Sequence, residues 1–122
     1  MSEKTLVVPE GTEVVGKGAY AGREDIENAV IPEGVVEIGD EAFIFCEQLR
    51  RVSLPSTLKR IGKSAFQECV NLSEINFPEG LEEIGMAAFF NCLSLEVPSL
   101  SATVKIGEMA FHHAKNIKSK EQ

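Results

Sequence analysis

The chain has 122 residues, 43% hydrophobic and 25% charged, a balance that fits one ordinary folded domain. Nineteen acidic against twelve basic side chains leave a net charge of -7, so the basic footprint that nucleic acid or an anionic membrane surface requires is missing. No apolar run approaches the length of a membrane span, and three cysteines without a paired spacing motif point to a reducing compartment.

In chain order, the first segment, Met1 to Val8, reads as a strand and lacks the apolar stretch of a secretion signal. As written the chain therefore reads as cytoplasmic with no address label, or as the mature part of something longer. From Pro9 onward the text repeats every 23 residues, as Pro9-Glu-Gly-Thr-Glu-Val-Val-Gly-Lys-Gly-Ala-Tyr20 is followed by copies beginning at Pro32, Pro55 and Pro78. A fifth copy, Val104-Lys-Ile-Gly-Glu-Met-Ala-Phe111, has lost one residue. A fixed period of this length predicts a stack of identical supersecondary units rather than a globular core. The domain is expected to run over 1–122, with the irregular last repeat ending near 117 and a short tail over 118–122.

Within each copy, apolar residues two apart precede the proline: Leu6 and Val8, Ala29 and Ile31, Val52 and Leu54, Ile75 and Phe77. That alternation predicts a strand with one face buried, ended and turned by the proline. A second short extended stretch follows, with Val15, Ile38, Ile61, Ile84 and Ile106 pointing inward. Glycine comes next in every copy, at 16, 39, 62, 85 and 107, which predicts a corner that needs either positive φ or close backbone approach. The segment after it, such as Lys63-Ser-Ala-Phe-Gln-Glu-Cys69, is predicted to make one or two turns of α or 3₁₀ helix with its apolar side inward. Each copy closes on Ile26, Leu49, Leu72, Leu95 or Ile117. Five rungs at roughly 4.8 Å per stacked strand give a core about 24 Å long. Tyr20, Phe43, Phe66, Phe89 and Phe111 are expected to form its aromatic spine.

These residues resemble the BspA-type leucine-rich repeat found in bacterial surface proteins, whose units read roughly Leu-x-x-Ile-x-Leu-Pro and then Leu-x-x-Ile-Gly-x-x-Ala-Phe-x-x-Cys-x-x-Leu. The run from Leu49 to Leu72 is nearly a full copy, and the resemblance covers about residues 5 to 117. It implies a right-handed α/β leucine-rich-repeat solenoid with a parallel β-sheet on its concave side. It also implies binding of host proteins or other cells at the cell surface or in the medium.

Candidate chemistry is sparse. Cys46, Cys69 and Cys92 recur with the repeat, so they read as a packed column of free thiols rather than a metal site. His112 and His113, the two histidines, read as an exposed end of the last helix. Gly16-Lys-Gly18 belongs to the repeat corner and lacks the rest of a phosphate loop. No paired acid and base, nucleophile or cofactor motif is present, which points away from an enzyme and toward no cofactor. Alternating signs before the Ile-Gly pair (Glu37, Arg60, Glu83, Lys105) and after it (Lys17, Asp40, Lys63) predict charge ladders between rungs.

The outward positions of the main strands are the candidate protein-binding face: Asn28, Val30, Arg51, Ser53, Glu74, Asn76, Val97 and Ser99. No aromatic residue stands on this strip. A second reading is a scaffold whose end rungs stack on another copy, with Phe111 and Ile117 at that end. Neither reading names the protein partner, and neither involves nucleic acid or membrane insertion.

Overall fold

The computed structural model describes residues 4–96 and 99–115. Among these described residues the alternating apolar positions form nine short strands, named in chain order: β1 (Thr5–Val7), β2 (Val14–Val15), β3 (Asn28–Val30), β4 (Glu37–Ile38), β5 (Arg51–Ser53), β6 (Arg60–Ile61), β7 (Glu74–Ile75), β8 (Glu83–Ile84) and β9 (Lys105–Ile106). They stack into two parallel sheets, one of four strands in the order β1-β3-β5-β7 and one of five in the order β2-β4-β6-β8-β9. Register follows the repeat, so Leu6, Ala29, Val52 and Ile75 form one inward column and Val15, Ile38, Ile61, Ile84 and Ile106 another.

The core is a single apolar rod in which Val35, Leu58 and Leu81 fill the space between the sheets. No polar or charged side chain is buried among the described residues. The aromatic column exists as expected: Phe43, Phe66 and Phe89 are wholly buried, with neighbouring ring centroids 5.2 Å apart and nearly parallel. Tyr20 and Phe111 extend it at the two ends, each with its ring centroid 5.3 Å from the adjacent one.

One expectation needs correction. The segments after the corner glycines are not helices. Each is a run of three overlapping four-residue turns, closed in the second copy by bonds from Ala42 N–H to the Gly39 carbonyl, from Ile44 N–H to the Glu41 carbonyl and from Cys46 N–H to the Phe43 carbonyl, each 3.2 Å. The intervening Glu41, Phe43 and Phe45 N–H groups instead reach the Lys63, Ala65 and Gln67 carbonyls of the next rung at 2.7–2.9 Å. Because those amides point along the stack, no i→i−4 ladder forms. The backbone is bent accordingly, with positive φ at the second and sixth residues after the glycine: Glu41 and Phe45, Ser64 and Glu68, Ala87 and Asn91, Met109 and His113. Apolar spacing of three and four residues fits this turn ladder as well as it fits a helix, which is why the sequence pattern misleads.

The rung count also differs between the sheets. Among the described residues five strands stack in the second sheet and four in the first. After β7 Glu96 makes an isolated parallel bridge to Lys115, outside either sheet; the next two residues lie outside the described set, as do the end of the last repeat and the tail.

The corner glycines resolve in favour of close approach. A β-carbon on Gly62 would stand 2.7 Å from Asp40 N and 2.8 Å from Gly39 C, and those on Gly39, Gly85 and Gly107 would meet the preceding rung equally closely. None of these corners has positive φ.

Candidate protein-binding face

The outer face of the four-stranded sheet carries two rows of side chains, because strand alternation and in-register stacking put every second residue of each rung outward. In the first row Thr5, Asn28, Arg51 and Glu74 stand side by side. They form one chain of polar contacts: Asn28 Nδ2 donates to Thr5 Oγ1 at 3.4 Å, Arg51 donates to Asn28 Oδ1 at 3.2 Å, and Arg51 Nε donates to Glu74 Oε1 at 3.2 Å. The pairing of Arg51 with Glu74 is solvent-exposed and worth at most about 1 kcal/mol, so it orders the side chains more than it stabilises the fold.

The second row runs Val7, Val30, Ser53 and then Asn76, with Val7 59% exposed. Asn76 is not a free recognition group. Its Oδ1 accepts the Leu54 N–H at 2.9 Å and its Nδ2 donates to the Leu54 carbonyl at 3.0 Å. At the preceding rungs this bond is made by backbone, Val8 N–H to Val30 and Ile31 N–H to Ser53. The Asn76 amide therefore completes the sheet where β7 ends one residue early.

Together the rows line an open groove of about 850 Å³, walled by Thr5, Asn28, Val30, Arg51, Ser53 and Glu74 and closed at its far end by Ser73, Asn76 and Glu96. The sequence reading had missed Thr5, Ser73 and Glu96. Thr5 stands 23 residues before Asn28, so extending the column by one repeat would have found it. Ser99 lies elsewhere, in a small recess with Phe77, Pro78, Leu100 and Val104. Val97 lies outside the described residues.

The remaining sequence candidates are built into the stack. Cys46, Cys69 and Cys92 are free and buried, and each thiol donates to a carbonyl of the preceding rung: Tyr20, Phe43 and Phe66, at 3.0–3.2 Å. Burial pushes all three thiols up, that of Cys92 to about 12. In the first copy Arg23 replaces cysteine and clasps Asp25 through two bonds of 2.7 and 2.9 Å, which hold its carboxyl at about 2. His113 Nδ1 lies 2.7 Å from Asn91 Oδ1, while His112 stacks on Phe90, both histidines being exposed. Of the charge ladders, Glu37 and Arg60 pair at 3.3 Å, but Asp40 Oδ1 takes the Lys63 backbone N–H rather than its ammonium. Among the described residues no three His, Cys, Asp or Glu side chains converge as a metal site.

Over residues 2–118 the chain matches the BspA type leucine-rich repeat region, in six copies. The chain belongs to the BspA-type leucine-rich repeat family. Among solved structures, this repeat array superimposes on the Treponema pallidum leucine-rich repeat protein with a TM-score of 0.83 and 35% identity, covering 89% of this chain and 54% of that one. A leucine-rich cell surface protein of Faecalibacterium prausnitzii gives 0.82 and 26%, over 93% of this chain and 34% of that one. The pneumococcal vaccine antigen PcpA gives 0.74 and 26%, over 91% and 28%. The array thus spans about half of the Treponema protein and about a third or less of the other two. No curated protein matches the chain. BspA-type repeats form a fold that generally serves protein interaction, and among the described residues no helix is long and apolar enough to cross a membrane.

Proposed function

We propose that this BspA-type array is a non-enzymatic module that binds a protein through the outer face of its four-stranded sheet. The observation that carries the reading is the groove itself, in which outward side chains of successive rungs, Asn28, Arg51 and Glu74 among them, stand around the core residues Ala29 and Val52. Its chemistry fits an extended protein segment. Glu74 and Glu96 offer acceptors for basic or amide groups at one end, and Val30 offers an apolar contact toward the other, with the exposed Val7 beside it on the same face. With no aromatic anchor in the groove, affinity is spread over several moderate contacts rather than held by one hot spot. The cell-surface name of the Faecalibacterium relative supports a surface setting, where the partner is a host or neighbouring-cell protein.

The test is a pull-down comparing wild type with an Arg51→Ala, Ser53→Ala, Glu74→Ala triple variant, with Asn76 left intact because its amide completes the sheet. A partner held by wild type and lost by the folded variant supports the groove. Equal retention by both removes it.

A further inference from the structure

His112 and His113 stand where the repeat does not call for histidine. The same two places carry Ile44 and Phe45, Gln67 and Glu68, and Phe90 and Asn91 in the preceding copies, so the stacking of rungs requires an imidazole at neither. None of those six residues is buried, and Phe45 is 49% exposed. Both places therefore face outward on the turn side of the rod as a property of the repeat.

A run of hydrogen bonds across three rungs orients His113. Asn91 Nδ2 donates to Glu68 Oε2 at 3.0 Å, which turns Asn91 Oδ1 toward His113 Nδ1, 2.7 Å away. An amide oxygen can only accept, so the neutral ring carries its proton on Nδ1 and keeps the lone pair of Nε2. Metal-binding histidines are held in this way, the second ring nitrogen donating to a fixed acceptor that sets the tautomer. His112 is steadied by a different contact, its ring lying along that of Phe90 with centroids 5.5 Å and planes 9° apart. The two imidazole centroids are 4.1 Å apart. With metal–nitrogen bonds of about 2.0–2.1 Å, two imidazoles at neighbouring coordination positions hold their centroids about 4.5 Å apart, so a slight opening of the pair admits one cation.

We infer that His112 and His113 form a surface site for one divalent transition-metal cation, bound through a ring nitrogen of each, with water completing the coordination. Glu68 and Asn91 are positioning residues: they hold His113 and do not touch the metal. Imidazole ligands select borderline cations, so Cu²⁺ is held more tightly than Zn²⁺, while Mg²⁺ and Ca²⁺, which require oxygen ligands, are not held. None of the four residues lines the groove on the four-stranded sheet, so this site is independent of what that face binds.

The test uses the metal salts alone and variants drawn from the chain's own repeat, so that the fold is kept. His112→Gln and His113→Asn restore the residue types of Gln67 and Asn91 at the equivalent places. Asn91→Gly restores that of Gly22, whose φ of 70° is close to the 61° of Asn91. Isothermal titration with Cu²⁺ and with Zn²⁺ is expected to show one cation per wild-type chain, and no binding of Mg²⁺. Affinity should fall about tenfold in Asn91→Gly and further in either histidine variant, with the circular dichroism spectrum unchanged in all three. The electron paramagnetic resonance spectrum of the Cu²⁺-loaded wild type should carry the coupling of two imidazole nitrogens, and that of each histidine variant should lose it. Wild-type affinity that survives the loss of either histidine, or a Cu²⁺ spectrum without imidazole nitrogen, overturns the inference, and equal affinity in Asn91→Gly overturns the positioning of His113.

Discussion

The corner glycines show how one absent methyl group sets the rung spacing. At Gly62 an alanine β-carbon would stand 2.6 Å from Asp40 Oδ1 and within 2.8 Å of backbone on the preceding rung, a conflict that side-chain rotation alone cannot relieve. Gly62→Ala should therefore lower stability by about 1–3 kcal/mol, whereas Gly16→Ala should change it by less than about 0.5 kcal/mol, both measured by urea unfolding at low protein concentration. Ala87 makes the opposite case. It sits at φ 58°, where its β-carbon strains the backbone, while the first copy has Gly18 at the equivalent place with φ 63°. Ala87→Gly should stabilise the fold by about 0.5–1 kcal/mol, the relief of left-handed strain outweighing the added chain entropy. The φ values of the glycines at 18 and 22, 63° and 70°, show that they relax the turns that later copies hold under strain.

The aromatic column and the turn ladder are single elements running the length of the rod. Phe66 has a stacked ring on both sides and is wholly buried, so Phe66→Ala opens a cavity that neither neighbour can fill. Thermal and chemical denaturation should record a loss of about 3–5 kcal/mol; a variant as stable as wild type would remove the column from its place as the spine. These inward columns were legible in the sequence because the repeat puts one residue type at one place five times over. The turn ladder was not legible. Whether an amide bonds within its own segment or across to the next rung depends on the neighbour's position, and the spacing of Ala65, Phe66 and Cys69 is the same in either case.

At the scale of the whole molecule the three thiols report on opening. Cys46, Cys69 and Cys92 lie in successive rungs, each buried and bonded to a carbonyl of the rung before. End rungs of a solenoid open more easily than middle ones, so timed alkylation of the native protein should modify Cys69 last, and all three only after denaturant is added should they react at once. A flat pattern, with Cys69 as fast as Cys46, would mean the rod opens in a single step. Burial also ties stability to alkaline pH. The folded Cys92 thiol keeps its proton up to about 12, whereas the unfolded chain loses it near 8.5. The unfolded state therefore binds fewer protons above that pH, and stability present below about 8.5 should fall steadily toward pH 12. A pH series of urea midpoints, with Cys92→Ala as reference, reads this directly.

The amino-acid sequence by itself determined the repeat length, the inward columns, the turn after each proline and the outward strip from Asn28 to Glu74, because all of these follow from residue identity at a fixed spacing. Only the tertiary structure decided what each polar group is doing. It placed Asn76 in the sheet in place of a backbone carbonyl, gave Asp40 to a backbone amide instead of a lysine, and made the post-glycine segments turns. The reason is physical. Apolar burial depends on which residues recur, and a periodic text records that, whereas a hydrogen bond depends on the direction of a particular group and on which neighbour stands within about 3 Å of it.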